Sequence, residues 1–273
     1  MTTDLKRQIA PRPIPATMIG VYMSPIERRV GAMTETTSII ATPDAAQVLA
    51  PVQAIAPTTH YPTPAAKCAD LVVHLAGLAC ALLGGGILLG LAFGLGDLSQ
   101  VAAVSVYTVG LITMLSLSTA YNFAKARWRP LLRRFDHAGI FIMIAASYTP
   151  FTTQNLHGWW AIGMTTAVWT VAGVGVAAKL LLPGLDKRFW VALYLALGWL
   201  VLVAIKPMID GMGWAALLLL ALGGVIYSTG TVFYLMKRLK FRRAIWHGHV
   251  IGGAGLHYAA VLVGVVLASS GHA

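Results

Sequence analysis

Ionisable and polar side chains interrupt an otherwise apolar sequence at a few places. They are Asp70 and His74; Ser118, Tyr121 and Asn122; Asp136 and His137; and Arg243, His247 and His249. Imidazoles and carboxylates are side chains that bind metal ions, and Arg243 lies one helical turn from His247, on the same helix face. Within a membrane such groups are costly, and they are therefore candidates for a functional site.

The composition favours a membrane protein. Of the 273 residues, 58% are hydrophobic and only 11% are charged, whereas a soluble domain carries about 25% charged residues. The net charge of +11 could indicate nucleic-acid binding, but the Lys and Arg residues occur in short runs between apolar stretches. A nucleic-acid surface needs them clustered on one face of a soluble domain. We therefore expect a lipid bilayer as the partner and no nucleic acid.

Seven apolar stretches are long enough to span a bilayer, which takes about 20 residues. They cover residues 69–93, 98–122, 136–153, 158–182, 188–205, 213–236 and 245–269. The sequence thus predicts an all-α polytopic bundle of seven transmembrane helices, with a break at residues 207–211 after the fifth. Residues 1–66 hold nine of the thirteen prolines. This composition predicts a disordered cytoplasmic tail ahead of a membrane domain of residues 67–273.

The basic residues predict the orientation. Nineteen of the 20 Lys and Arg residues precede the first span or lie between spans two and three, four and five, or six and seven. Only Lys206 falls on the other side. Because cytoplasmic loops collect Lys and Arg, we expect the N-terminus inside and the C-terminus outside, in the cell (inner) membrane. This topology brings most of the polar residues to the cytoplasmic leaflet.

Each polar residue also has an explanation that requires no site. Asp136 could cap the third helix, Ser118 could bond to its own helix, and Arg243 could belong to a basic loop. His74 and His257 could be interior histidines with satisfied hydrogen bonds. The convergence of several such residues at one depth favours a site.

The same segments resemble the hemolysin III family, the bacterial branch of the progestin and adipoQ receptor superfamily. The motifs are Ser-Thr-Ala-Tyr-Asn at 118–122, Arg-Phe-Asp-His-Ala-Gly-Ile-Phe at 134–141, Ser-Tyr-Thr-Pro-Phe at 147–151, Tyr-Ser-Thr-Gly at 227–230 and Ile-Trp-His at 245–247. Asp70 and His74 also fit, and the resemblance covers about residue 66 to the end. It implies a seven-helix body with the N-terminus inside, similar to zinc-dependent membrane hydrolases of the alkaline ceramidase type.

The resemblance also implies a ligand set from which this sequence departs. Three histidines would hold zinc, one in span two and two in span seven, and an Asp in span three would position a water. His247 and Asp136 are present, but Asn122 and Arg243 stand at the two other histidine positions. An amide is a poor zinc ligand, and a guanidinium only donates and repels a cation.

We therefore expect a degenerate site in which Arg243 pairs with Asp136 in place of a metal. The other members expected at the site are His74, Ser118 and His137.

Three functions remain open from the sequence. The first is a metal-free membrane protein that acts in membrane homeostasis or sensing, with a lipid as ligand. The second is a zinc-dependent hydrolase of a lipid amide, with Asp136 as the catalytic residue and His247 as a metal ligand. The third, a cytolytic or pore-forming protein, follows from the family name alone.

Overall fold

The computed structural model of the protein describes residues 60–182 and 184–268, and the regular structure in these ranges is helical. The helices are α1 (Pro64–Leu95), α2 (Leu98–Phe123), α3 (Arg129–Gln154), α4 (Gly158–Leu181), α5 (Lys187–Gly198), α6 (Ile205–Gly211), α7 (Trp214–Leu235) and α8 (Arg242–Val261). A 3-10 stretch, Trp199–Ala204, joins α5 to α6, and a π-helical turn, Leu262–Val266, extends α8.

Local signals set where the helices begin. The Thr63 hydroxyl accepts a hydrogen bond from the Ala66 amide at 3.1 Å, and Pro64 occupies the first helical position of α1. The Asp97 carboxylate likewise accepts from the Gln100 amide at 2.8 Å to start α2. Both contacts satisfy amide groups that have no partner within the first turn of a helix.

Six helical stretches among the described residues are long and apolar enough to cross a bilayer. They are α1, α2, α4, α5 with α6, α7, and α8 with its π-helical turn. The chain is therefore a polytopic helical membrane protein. Helix α3 has 26 residues, a length of about 39 Å, but its first turns carry three arginines, Asp136 and His137. It packs against α2 and α4.

The predicted break after the fifth span is wrong. The chain stays helical through residues 187–211, whereas the sequence predicted a span of 188–205 and a break at 207–211. Pro207 causes no break because it lies in the first turn of α6, where an amide proton has no intrahelical partner. The 3-10 stretch before it carries the change in helical winding.

Tyr148 stabilises this change of winding. Its hydroxyl lies 2.8 Å from the Gly198 carbonyl oxygen and 3.1 Å from that of Leu197, and it accepts a hydrogen bond from the Val201 amide at 2.8 Å. These are backbone groups that the 3-10 stretch leaves without regular α-helical partners. Tyr148 therefore connects α3 to the middle of the α5–α6 helix.

The helix order brings several chain segments to one end of the bundle. Helix α1 packs against α2 and α8, and α7 packs against α8. Helices α1, α3, α5 and α8 begin where α2, α4 and α7 end, and we call this the polar end. The approach of α2 to α3 is close, because Gly110 faces the Ala146 side chain. Small residues of this kind let membrane helices pack tightly.

This packing predicts opposite effects for two glycine substitutions. In Gly110→Ala the new Cβ would overlap that of Ala146, whereas Gly90 has nothing within 4 Å of the corresponding position. Gly110→Ala should lower the unfolding free energy by about 1–3 kcal/mol. Gly90→Ala, the control, should leave it unchanged or raise it by up to about 1 kcal/mol. Thermal unfolding in detergent measures both, and equal effects would contradict the α2–α3 packing.

Candidate functional site

The polar end holds a buried cluster contributed by three helices. Helix α1 provides Asp70 and His74, α2 provides Ser118 and Asn122, and α8 provides Arg243 and His247. Within each pair the residues are four apart, so both side chains lie on the same helix face. Five of the six are buried, and Arg243 is partly exposed. The structure therefore brings together most of the residues that the sequence selected.

Asp70 lies at the centre of this cluster and has no exposed surface. One carboxylate oxygen, Oδ1, lies 2.6 Å from His247 Nδ1, and the other, Oδ2, accepts from the Tyr61 hydroxyl at 2.5 Å. A carboxylate that lacks a proton can only accept, so His247 Nδ1 carries the hydrogen in this bond. His247 is thereby fixed in orientation, with its Nε2 available to other groups.

His74 links Asp70 to helix α2. Its Nδ1 donates to the Asp70 main-chain oxygen at 2.8 Å, and its Nε2 lies 3.3 Å from the Ser118 hydroxyl. With Nδ1 as the donor, neutral His74 accepts the Ser118 proton at Nε2. The His74 and His247 rings are also in contact, with centroids 4.2 Å apart. The two histidines and Asp70 form one continuous hydrogen-bonded unit.

Arg243 is bound by groups other than Asp136. Its Nη1 donates to the Asn122 side-chain oxygen at 3.0 Å, and its Nε donates to the His60 carbonyl oxygen at 3.3 Å. Its Nη2 lies 3.2 Å from His60 Nδ1, and its guanidinium lies 5.4 Å from the centre of the Tyr61 ring. Asn122 in turn donates to the Ser118 main-chain oxygen at 3.0 Å. The guanidinium thus ties α8 to α2 and to the residues before α1.

The segment before α1 keeps its hydrogen-bonding groups uncharged. Burial, followed by the neighbouring Arg243 charge, lowers the pKa of His60 to about 4. Burial and the hydrogen bond to Asp70 raise the pKa of Tyr61. At neutral pH His60 is therefore a neutral acceptor for Arg243, and Tyr61 keeps the proton that it donates to Asp70.

The expected pair of Arg243 with Asp136 is wrong. Among the described residues the contacts within salt-bridge distance are those of Asp70 with the His74 and His247 rings and that of Lys206 with Asp210, and none joins Arg243 to Asp136. Asp136 lies beside the Ser118 hydroxyl and within electrostatic range of His247 and Arg243, but it forms no salt bridge with any described residue. It does not cap α3 either, because that helix begins seven residues earlier, at Arg129.

His137 faces away from the cluster of α1, α2 and α8. Its main-chain oxygen accepts from the Tyr194 hydroxyl at 3.0 Å, and within the described residues its buried Nδ1 has no hydrogen-bond partner. Its charged neighbours are Lys179 and Arg133. His137 therefore belongs to a different part of the polar end.

The chemistry of the donor set bears on metal binding. Asp70, His74 and His247 each offer a ligand atom, and these atoms lie within 4.8 Å of one another. They form a group that could hold a metal ion. The side chains of Asn122 and Arg243 do not join it as ligands, because the amide and the guanidinium are hydrogen-bonded to each other.

His60 and Tyr61 were not predicted as site residues from the sequence, and Asp70 was not predicted as the centre of the site. The two aromatic residues fall inside the predicted tail, whose first 59 residues lie outside the described ranges. The signal that could have found them is Thr63-Pro64, a cap followed by proline, which starts a helix. A helix that begins at Pro64 places His60 and Tyr61 directly beside the start of α1.

A cavity of about 970 Å³ extends from the polar end into the bundle. All eight described helices contribute to its walls, which include His74, Ser118, Asp136, Arg243 and His247. Further along, the walls become apolar. The hydrogen-bonded cluster therefore faces a space large enough for a ligand.

The central position of Asp70 predicts a large effect on stability. Asp70→Asn removes the negative charge and one of the two accepting oxygens, which leaves His247 or Tyr61 without its partner. The unfolding free energy in detergent should fall by about 3 kcal/mol or more. Asp97→Asn is the matched control, because asparagine caps α2 as well as aspartate does. Similar losses in both variants would contradict the role of Asp70.

Comparison with known proteins agrees with this architecture. Residues 67–258 match the family model described as haemolysin-III related. The hemolysin-3 homolog of Bacillus subtilis (strain 168) is 30% identical over 200 residues, which cover 72% of this chain and 92% of the relative. Hemolysin-3 of Bacillus cereus is 32% identical over 176 residues, or 64% of this chain and 80% of the relative.

Another relative is the monocyte to macrophage differentiation factor of Homo sapiens. It is 30% identical over 163 residues, which cover 57% of this chain and 67% of the relative. The matched residues include all of α2 and all but the end residues of α1 and α8, the three helices that build the polar cluster. On these grounds the chain belongs to the hemolysin III family of integral membrane proteins.

Proposed function

We propose that this protein is a metal-independent member of the hemolysin III family that senses lipids or maintains membrane composition, without hydrolysing a lipid. It resides in the cell (inner) membrane with seven spans. Its polar site faces the cytoplasmic leaflet, with the N-terminus inside and the C-terminus outside. The cavity beside the cluster is where a lipid ligand would bind.

The proposed topology adds α3 to the six apolar helices. Helix α3 lies between α2 and α4, and residues in its middle and final turns are buried. Its polar first turns lie at the end of the bundle that carries the basic residues. An odd number of spans is also what the charge distribution requires, because 19 of the 20 Lys and Arg residues then lie on the cytoplasmic side.

The observation that carries the metal-independent assignment is the hydrogen bond from Arg243 to Asn122, at 3.0 Å. These residues stand at two of the three positions where the family resemblance implies histidine ligands. A fixed guanidinium charge repels a dication, and it donates hydrogen bonds where a metal needs lone pairs. The residues present at these positions do not fit zinc.

The remaining candidate ligands are already bonded to one another. Zinc holds nitrogen and oxygen ligands at about 2.0–2.2 Å in a tetrahedron, which places the donor atoms about 3.3 Å apart. Asp70 Oδ1 and His247 Nδ1 are separated by 2.6 Å. This is the length of a charge-assisted hydrogen bond. Asp70 Oδ1 and His247 Nδ1 are therefore hydrogen-bonded to each other, and these two atoms cannot both bind one metal ion in this arrangement.

A zinc-dependent hydrolase of a lipid amide is the second candidate function. The observation in its favour is the Asp70, His74 and His247 group next to a cavity that Asp136 also lines. Binding a metal there would require His247 to turn away from Asp70 or to use its other nitrogen. Cytolysis is a third candidate, and it draws only on the names of the relatives.

Zinc stoichiometry separates the first two candidates. The full chain, purified after growth with added zinc, should carry no stoichiometric metal. The double substitution Asn122→His with Arg243→His restores the implied ligand set, and it should bind about one zinc per chain. Plasma emission spectrometry measures both proteins, and His247→Ala in the double variant should abolish binding.

Two outcomes would contradict the proposal. The first is about one zinc per unmodified chain that His247→Ala removes, which would favour the hydrolase. The second is a double variant that folds but stays metal-free, which would show that Asn122 and Arg243 are not what excludes the metal.

A further inference from the structure

A second group of charges lies at the polar end, separate from the Asp70 cluster. Five basic side chains from different segments line the same cavity. They are Arg133 on α3, Lys179 on α4, Lys187 on α5, Lys237 after α7, and Arg242 at the start of α8. Arg243 lines the cavity too, but Asn122 and His60 already accept its hydrogen bonds.

These five cations have few negative charges near them. The acidic side chains on the cavity wall are Asp136 and Asp186. Asp186 accepts the Arg188 amide at 2.6 Å as the cap of α5. Across the described ranges none of the five cations forms an ion pair with a carboxylate. Cations gathered in one cleft produce a positive potential that attracts an anion.

One of these cations, Lys179, packs against an aromatic ring. Lys179 Nζ lies 4.2 Å from the centre of the Trp190 ring, within the range of a cation–π interaction. Trp190 is itself buried, so the ring that contacts Lys179 has a fixed position. Arg133 lies within electrostatic range of Lys179, and the His137 side chain, whose Nδ1 has no hydrogen-bond partner among the described residues, lies within range of both. The group thus offers charges and a spare polar atom to one ligand.

The remainder of the cavity is apolar and long. Along α3 its wall runs from Arg133 to Thr152, a distance of about 29 Å at 1.5 Å per residue. The deeper wall is formed by Met143, Phe151, Met164 and Met208. An acyl chain in a bilayer covers about half of the ~30 Å hydrocarbon core. The cavity is therefore long enough to accept one such chain.

We propose that the cavity binds an anionic phospholipid of the cytoplasmic leaflet. Its phosphate lies among Arg133, Lys179 and Lys187, and one acyl chain enters the apolar part. Arginine offers paired donors to phosphate oxygens, and lysines add point charges. A zwitterionic headgroup fits less well, because its own cation would meet the same positive side chains. This inference rests on the proposed orientation and deepens the proposed lipid-sensing function by naming the ligand.

Native mass spectrometry of the detergent-solubilised full chain tests the proposal. Phosphatidylglycerol, phosphatidylcholine and oleic acid are titrated separately. Phosphatidylglycerol should bind at least about 5-fold more tightly than phosphatidylcholine. Replacing both Arg133 and Lys179 by glutamine should weaken phosphatidylglycerol binding by roughly 25-fold, or about 5-fold for each charge.

Lys240→Gln is the matched control. Lys240 is exposed in the segment between α7 and α8, next to these cations in sequence, but it does not line the cavity. Its substitution removes the same charge and should leave the affinity unchanged. Should the double variant fail to fold, Lys187→Gln at the cavity entrance should still weaken binding by about 5-fold.

Several results would overturn the inference. They are equal affinities for the two phospholipids, an equal loss in Lys240→Gln, or tight binding of oleic acid without phosphatidylglycerol. Zinc content is measured on the same samples, so the two proposals fail separately. Selective lipid binding by a zinc-loaded chain would refute metal independence alone, whereas a metal-free chain without lipid selectivity would refute the lipid site alone.

Discussion

A carboxylate with no exposed surface, on a helix that crosses a membrane, must be compensated by groups brought from elsewhere in the chain. Asp70 is such a carboxylate, and its partners come from α8 and from the segment before α1. His247 and Tyr61 are therefore fixed by the same requirement. His74 extends the network to α2 through Ser118. The packing of α1, α2 and α8, and of the segment before α1, therefore depends on one buried charge.

Arg243 belongs to the same hydrogen-bond network. It donates to Asn122, and Asn122 donates to Ser118. Because Ser118 also contacts His74, the contacts of Arg243 and those of Asp70 are connected through α2. Asp70 and Arg243 bring opposite charges to one network without direct contact. The site thus combines the Arg243 cation and the Asp70 carboxylate, linked through the side chains of Asn122, Ser118 and the two histidines. A preorganised polar surface of this kind suits binding a ligand in the adjoining cavity.

The helices could be predicted because apolar runs of about 20 residues leave few alternatives. Their ends were less predictable. Pro207 reads as a break, yet it lies in a helix because its position in the first turn needs no amide proton. Helix α3 begins at Arg129, well before the predicted start, since charged residues are tolerated in its first turns at the polar end.

Most of the polar residues selected from the sequence lie together in the structure, but not with the predicted pairing of Arg243 and Asp136. Residues four apart on α1, α2 and α8 converge because they share helix faces at one depth. The sequence could not show that Arg243 turns toward Asn122 and His60 rather than Asp136, because that depends on how α8 is rotated against α2 and α3. His60 and Tyr61 were missed because the proline-rich composition predicted a disordered tail, although the capped helix α1 begins at Pro64.

We propose above that Arg243 and Asn122 stand at the positions of two metal ligands and exclude the metal. The most direct measurement is a crystal structure of the protein grown with zinc, with anomalous data collected on both sides of the zinc absorption edge. We expect no anomalous peak among Asp70, His74 and His247, and we expect the Arg243 guanidinium within hydrogen-bonding distance of Asn122. A zinc peak bound to His247, with Arg243 turned away, would contradict the account.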